Sequence, residues 1–249
     1  MHSDPEAFRI DTSEACGLQA PAHSRAGDLR TGLGSVDLLL RGSSSQVIEV
    51  VGPPASGKTA LCCGASAQAA QLGPVVYIDT KAADIAQRVR SLVDADQRMH
   101  AGAAAKARSN IFLVGGITSM EDLLDTLVSV LEKGCGDSRL RLLVIDCFAD
   151  LAAPHVHSHP RETGLVSATS RLLSNISTKW DCCVLAVNTT VRGDIGGDKP
   201  ALKATYGPMV PQRCLSLNRS PAAPSVVVVD LTASVDQQLP ASASFCLRF

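Results

Sequence analysis

From Leu29 onward, short uninterrupted apolar runs alternate with segments in which apolar residues recur at helical spacing, a pattern missing from the residues before it. The apolar runs QVIEVV (46–51), VVYID (75–79), NIFLV (110–114), RLLVID (141–146) and CCVLAVN (182–188) predict strands buried on both faces, the pattern of a parallel sheet covered by helices. Between them, residues 59–71 predict an alanine-rich helix stopped by Gly73-Pro74, and 83–93 a second helix. Residues 119–133 predict an amphipathic helix, with Ser119 as N-cap, Glu121 and Asp122 in its first turn and Gly134 just beyond its end. A further helix is expected over 162–180, and a turn leading into a short helix over 29–40. The last third of the chain predicts only strands, at 214–218, 225–231 and 244–249. The fold class is therefore α/β, a mostly parallel sheet flanked by helices and continued by an antiparallel extension. Residues 1–28 are polar and aperiodic and are expected to be a tail or linker, leaving 29–249 as one domain.

Composition narrows the picture modestly. Aromatics are 3% of 249 residues, so aliphatic side chains must fill the core. A formal net charge of -1 argues against a strongly basic nucleic-acid module but leaves room for a local patch. The nine cysteines form no CxxC, and two adjacent pairs fall in apolar or helical runs, which suits small buried hydrophobes in a reducing compartment. The N-terminus has no apolar signal core and no run reaches membrane-spanning length, so a soluble intracellular protein is expected.

Chemistry concentrates where strands end. Gly52-Pro53-Pro54-Ala55-Ser56-Gly57-Lys58-Thr59 fits GxxxxGK followed by Ser or Thr, between a strand and a helix. In such a P-loop, backbone amides and the helix N-terminus face the phosphates, the lysine reaches the β and γ oxygens, and the threonine hydroxyl takes a place on Mg²⁺. Pro53 and Pro54 carry no N–H, so the cradle must start near Ala55. The alternative is an ordinary tight turn. Asp146 closes an apolar strand, as does the Mg²⁺-bearing carboxylate of P-loop NTPases; alone it reads equally as a turn-forming aspartate, and its pairing with the P-loop favours the metal role. Asn188 ends the next strand at the sheet edge where ligands bind in open α/β folds, or simply terminates it. His155, His157 and His159 lie in a proline-flanked loop without a matched Cys or carboxylate, which favours an exposed loop over a metal site. Arg192, Lys199 and Lys203 share a glycine-rich stretch that suits a nucleic-acid backbone or plain solvation.

Taken in order, TGLGSVDLLL, VGPPASGKTALC, VVYIDT, LLVID, VLAVN and KPALKATYGPMVPQR resemble the RecA-family recombinase ATPases over residues 29–231. The resemblance is to the eukaryotic paralogues of the strand-exchange recombinase, the D-type in particular, through RETGLVSATSRLL and DKPALKATYG. It implies a RecA-like P-loop NTPase core that binds ATP with Mg²⁺. Gly52 to Thr59 would hold the nucleotide, Lys58 and Asn188 would serve catalysis, and Thr59 and Asp146 would support the metal. The stretches 152–161 and 191–206 would face single-stranded DNA. Two departures stand out. Where active members carry a water-polarising glutamate after the YIDT strand, this chain has Lys81, and Thr189 stands where they carry glutamine. The small helical domain that precedes the core in recombinases is not expected within residues 1–28, and Phe8-Arg9-Ile10-Asp11 lacks the alanine of the polymerising Phe-x-x-Ala motif. These point to a nuclear protein of homologous-recombination repair, placed in a hetero-oligomer with other paralogues, assisting the strand-exchange recombinase, with little or no hydrolysis and no membrane contact. The rivals are a P-loop small-molecule kinase, for which residues 92–110 offer only Arg98 and Arg108 as lid arginines, and a scaffold without nucleotide turnover.

Overall fold

In the computed structural model, the described residues are 9–10, 28–81, 84–96, 101–136, 138–152, 160–192, 198–200, 213–223, 225–233 and 242–248. The chain begins with β1 (Arg9–Ile10), α1 (Gly34–Leu39), β2 (Val47–Val51), α2 (Lys58–Ala70), β3 (Val75–Asp79) and α3 (Ile85–Ala95). It continues through α4 (Ala101–Ser109), β4 (Ile111–Val114), α5 (Met120–Lys133), β5 (Leu142–Asp146), α6 (Phe148–Ala152) and α7 (Pro160–Trp180). Strands β6 (Cys183–Val187), β7 (Thr190–Arg192), β8 (Asp198–Pro200), β9 (Arg213–Arg219), β10 (Val226–Ala233) and β11 (Ser242–Arg248) complete it.

One nine-stranded sheet runs in the order β1-β11-β10-β9-β2-β6-β5-β3-β4. Strands β2, β6, β5, β3 and β4 are parallel, and β9 joins parallel to β2. Strands β10 and β11 add on antiparallel, as the expected extension, and β1 pairs antiparallel with β11 beyond it. A fully apolar strand needs cover on both faces, and it has it. In β5, Leu142 and Val144 enter the core under α2 and α3, while Leu143 and Ile145 enter the core under α5 and α7. Strand β6 repeats the division, with Cys183, Leu185 and Val187 on the first face and Val184 and Ala186 on the second.

Helix α2 is built mainly of Ala, Cys and Gly, so its axis can approach the sheet closely; Cys62 and Cys63 are buried there as small hydrophobes, as are Cys182 and Cys183 at β6. Ser119 caps α5 by accepting from the Asp122 amide at 3.0 Å. Gly134 closes the helix at φ +56, and a Cβ there would lie 2.7 Å from the Trp180 ring, so both the backbone and the packing call for glycine.

Several elements carry no periodic signal. Helix α4 reads AGAAAKARS and buries only Ala107, and α6 spans five residues. The β7–β8 hairpin lies in the polar stretch after Asn188. Within the segment read as a tail, Arg9 and Ile10 pair with Arg248 and Leu247 of β11. Residues 155–159, with their three histidines, lie outside the described residues, as does Lys203. Among the described residues, no helix is long and apolar enough to cross a membrane.

Candidate functional site

Sheet order places the carboxyl ends of β2, β6, β5 and β3 side by side, where ligands bind in open α/β sheets. Those ends carry, in turn, the P-loop, Asn188, Asp146 and Asp79. The structure thus brings together most of the residues singled out in the sequence.

The P-loop leaves a wholly buried β2 and curls into α2. Gly52 has no alternative: a Cβ there would stand 2.3 Å from the Leu217 carbonyl oxygen and 2.6 Å from Ser56 Oγ. Ser56 N–H donates to Pro53 O at 3.2 Å, which closes the turn. Ala55 (φ +61) and Gly57 (φ +93) take left-handed backbone, the arrangement that points successive amides into an anion-binding nest. No side chain caps α2 at Gly57, so the helix's first-turn amides and positive dipole end are offered to a ligand. Arg219 at the end of β9 donates from Nε to Ala55 O at 2.8 Å and braces the loop from outside.

Lys58 Nζ folds over the loop and donates to Gly52 O and Pro53 O, each at 2.7 Å. Burial lowers its pKa from the ordinary lysine range, against the opposing pull of Cys147 and Asp146. Ser56 Oγ is buried inside the loop with no hydrogen-bond partner. A buried orphan hydroxyl, uncapped helix amides and a desolvated cation form a site short of negative charge, which is what a polyphosphate supplies.

Asp146 is 5% exposed. Tyr77 Oη donates to its Oδ2 at 2.9 Å from β3, and Thr59 at the start of α2 acts on the same carboxylate to lower its pKa. The two residues expected to support Mg²⁺ are therefore neighbours. Burial raises the Asp146 pKa above the ordinary carboxylate range, opposed by the hydrogen bonds from Tyr77 and Thr59. Asp79 stands opposite Asp146 in the parallel register and is also buried, so the floor of the site is a pair of carboxylates.

Asn188 sits at the expected strand end but has its own engagements. Its Nδ2 donates to Glu49 Oε1 at 2.6 Å, and its Oδ1 accepts from the Thr189 amide at 2.8 Å. Through main-chain bonds from Asn188 N to Val50 O and from Thr190 N to Gly52 O, the end of β6 is laced to the P-loop. This arrangement ties the β7–β8 hairpin to the first P-loop residue. The hairpin places Arg192 opposite Asp198 and Val191 opposite Lys199.

Lys81 lies one residue beyond Thr80, whose hydroxyl donates to Asp146 O at 2.8 Å. Its ammonium pairs with Asp150 Oδ2 of α6 at 2.9 Å. Hydrogen bonds to the Cys147 thiol and to Asp150 hold its pKa above the usual lysine range. An ammonium kept charged in this way cannot accept a proton from water. Arg108, weighed as a lid arginine, is instead paired with Asp94 between α4 and α3. Among the described residues, no cluster of three or more metal-ligating side chains occurs.

Sequence reasoning did not single out Tyr77, Asp79, Glu49, Cys147 or Arg219. Asp79 lay within the quoted YIDT and could have been found as a second strand-terminal carboxylate. The other four act through contacts between distant parts of the chain that no local pattern announces.

The family model described as "AAA domain" matches residues 16–190, a span centred on this site. The chain is 31% identical over 209 residues to "DNA repair protein RAD51 homolog 4" of Bos taurus, covering 80% of this chain and 63% of that protein. It is 27% identical over 177 residues to "DNA repair and recombination protein RadB" of Archaeoglobus fulgidus, covering 68% of this chain and 74% of that protein. Among solved structures, the RadB recombinase superposes with a TM-score of 0.69 at 24% identity, covering 88% of this chain and 95% of that one, and shares the fold. With the model matching more than half of the chain, the chain belongs to the AAA domain family, and its P-loop and strand order give it the RecA-like fold it shares with the RadB recombinase.

Proposed function

We propose that this chain binds ATP with Mg²⁺ and works in recombination and DNA repair as one member of a complex of recombinase paralogues, with slow intrinsic hydrolysis. The observation that carries this reading is the contrast within one site. Lys58 folds over a loop that fits a phosphate grip, with Thr59 near Asp146, while Lys81 stands at the strand end where a general base would act. In such a site, Gly52 to Thr59 would hold the phosphates, and Thr59 and Asp146 would hold the metal, directly or through water. Mg²⁺ held there would supply neutralisation of the charge that develops on the phosphates.

The biological setting follows from the relatives, whose names describe DNA repair and recombination. In that setting the chain pairs with other paralogues, supports the strand-exchange recombinase on single-stranded DNA and acts in the nucleus. Asn188, held by Glu49, would act on the nucleotide as a link from the P-loop to the hairpin at 190–200 rather than as a freely mobile sensor.

The test is a thermal-shift titration with ATP and Mg²⁺, paired with single-turnover hydrolysis. The wild-type protein should shift with ATP and hydrolyse it slowly, and Lys58→Ala should lose most of the shift. Equal shifts in both proteins would remove Lys58 from the site, and brisk wild-type turnover would remove the assignment at Lys81.

A further inference from the structure

One ion pair in this site has no part in gripping phosphate or metal. Lys81 and Asp150 meet at 2.9 Å with 54% and 47% of their side chains exposed. Lys81 is anchored close to the metal carboxylate, because Thr80 donates from its hydroxyl to Asp146 O and the Lys81 amide donates to Asp79 Oδ1 at 2.9 Å. Burial acts most strongly on both Lys58 and Asp146, and beside it the Lys81 charge adds a smaller effect that disfavours the Lys58 ammonium and favours the Asp146 carboxylate. Lys58, after the end of β2, and Lys81, after the end of β3, stand at the same carboxyl edge of the sheet, where an anion bound there can be shared between them.

We propose that Lys81 is an exchangeable cation that leaves Asp150 for the terminal phosphate of a bound nucleoside triphosphate, so that it selects ATP over ADP and frees helix α6 when ATP binds. This rests on the nucleotide-binding reading above. Three observations favour exchange over a fixed pair. The pair is half-exposed, one lysine on one carboxylate oxygen with the Cys147 thiol beside it, the kind that contributes little net stability and is easily given up. The lysine stem is flexible and its head is a point charge, so it can turn to a new anion without a required plane. The helix at the other end of the contact is short. It is held by Phe148, Ala149 and Ala152 in the core and by the Asp150 amide on Cys147 O at 3.1 Å, with Asp150 itself outside the core. Loss of the ion pair would therefore loosen the outer face of α6 and leave the core contacts in place.

The experiment is equilibrium binding of ATP and of ADP, each with Mg²⁺, to wild type, Lys81→Ala, Asp150→Asn and the double variant. Lys81→Ala should weaken ATP by about two- to fivefold, the range an exposed pair can supply, and leave ADP unchanged. Asp150→Asn should tighten ATP by a similar factor, and this gain should vanish in the Lys81→Ala background. Hydrogen exchange should report faster amides over residues 148–152 with ATP than with ADP, in wild type and not in Lys81→Ala. The proposal is overturned if Asp150→Asn acts alike on both nucleotides, if its effect survives without Lys81, or if α6 exchanges equally in both states. A wild-type chain that binds neither nucleotide overturns the nucleotide reading itself, and this proposal with it.

Discussion

Two lysines serve opposite ends of one site in different ways. Lys58 is buried and donates to two P-loop carbonyls at 2.7 Å, while Lys81 keeps 54% of its side chain exposed and rests on a half-exposed carboxylate. The P-loop end is made mostly of main chain: left-handed residues at 55 and 57, a glycine that admits no Cβ, and a bare helix start. The strand end beyond Asp79 is made of side chains at the surface. A grip made of backbone persists as long as the fold does, whereas chemistry carried by one exposed side chain can be exchanged without disturbing the core. On the proposed function, that asymmetry would let an ATPase scaffold keep its ligand while losing its reaction.

The largest expected effect lies at the exposed end. A positioned general base contributes ~10²–10⁴-fold, so Lys81→Glu should raise the single-turnover rate about a hundredfold, the low side of that range, because Thr189 stands where active members carry glutamine. No gain would mean that residue 81 does not face the attacking water. Next comes the buried end. With ATP at a hundredfold excess over its Kd, ligand binding stabilises a fold by about 2.7 kcal/mol, and Lys58→Ala should lose most of this in a thermal-shift titration while Lys81→Ala keeps most of it.

Without nucleotide, the contrast should appear in stability alone. Gly52→Ala drives a methyl into the Leu217 carbonyl and should cost about 1–3 kcal/mol in a urea titration. Lys81→Ala removes only an exposed pair and should stay within about 0.5 kcal/mol of wild type. Equal losses would mean that the exposed end also supports the fold.

The same asymmetry explains what could be read from the sequence. The P-loop, Asp146 and the parallel strands were legible because each is local: a spacing, a strand with a carboxylate at its end, a run of apolar residues. The cap at Ser119 and the stop at Gly134 were legible for the same reason. Tyr77 was not, because its hydroxyl meets Asp146 across 69 positions of sequence, and Glu49 meets Asn188 across 139. Each sits in an apolar strand where a lone polar group gives no sign of its partner. Helix α4 escaped because alanine forms helix without leaving an apolar stripe, and β7 and β8 because they pair as a small polar hairpin away from the main sheet. Contacts between strands adjacent in space but distant in sequence are the part that folding supplies.

The smallest effect has the opposite sign and sits at the boundary between the two ends. Asp146 is buried and its pKa is raised in the folded protein, so the fold disfavours its charged form. Below the unfolded-state pKa it is neutral whether folded or not, and its burial then carries no charge penalty. As pH rises through the folded-state pKa it ionises, and the protein loses that part of its stability. Asp146→Asn keeps an acceptor for Tyr77 and Thr59 but cannot ionise. In the absence of nucleotide the variant should therefore be more stable than wild type at pH 7, and the difference should shrink as pH falls through the carboxylate range. With ATP and Mg²⁺ present the order should reverse, because the charge that weakens the empty site is the one that would support the metal. Urea titrations at pH 7 and pH 4, with and without nucleotide, give all the comparisons needed. A variant less stable than wild type at pH 7 without ligand would show that the Tyr77 and Thr59 hydrogen bonds outweigh the cost of burying the charge.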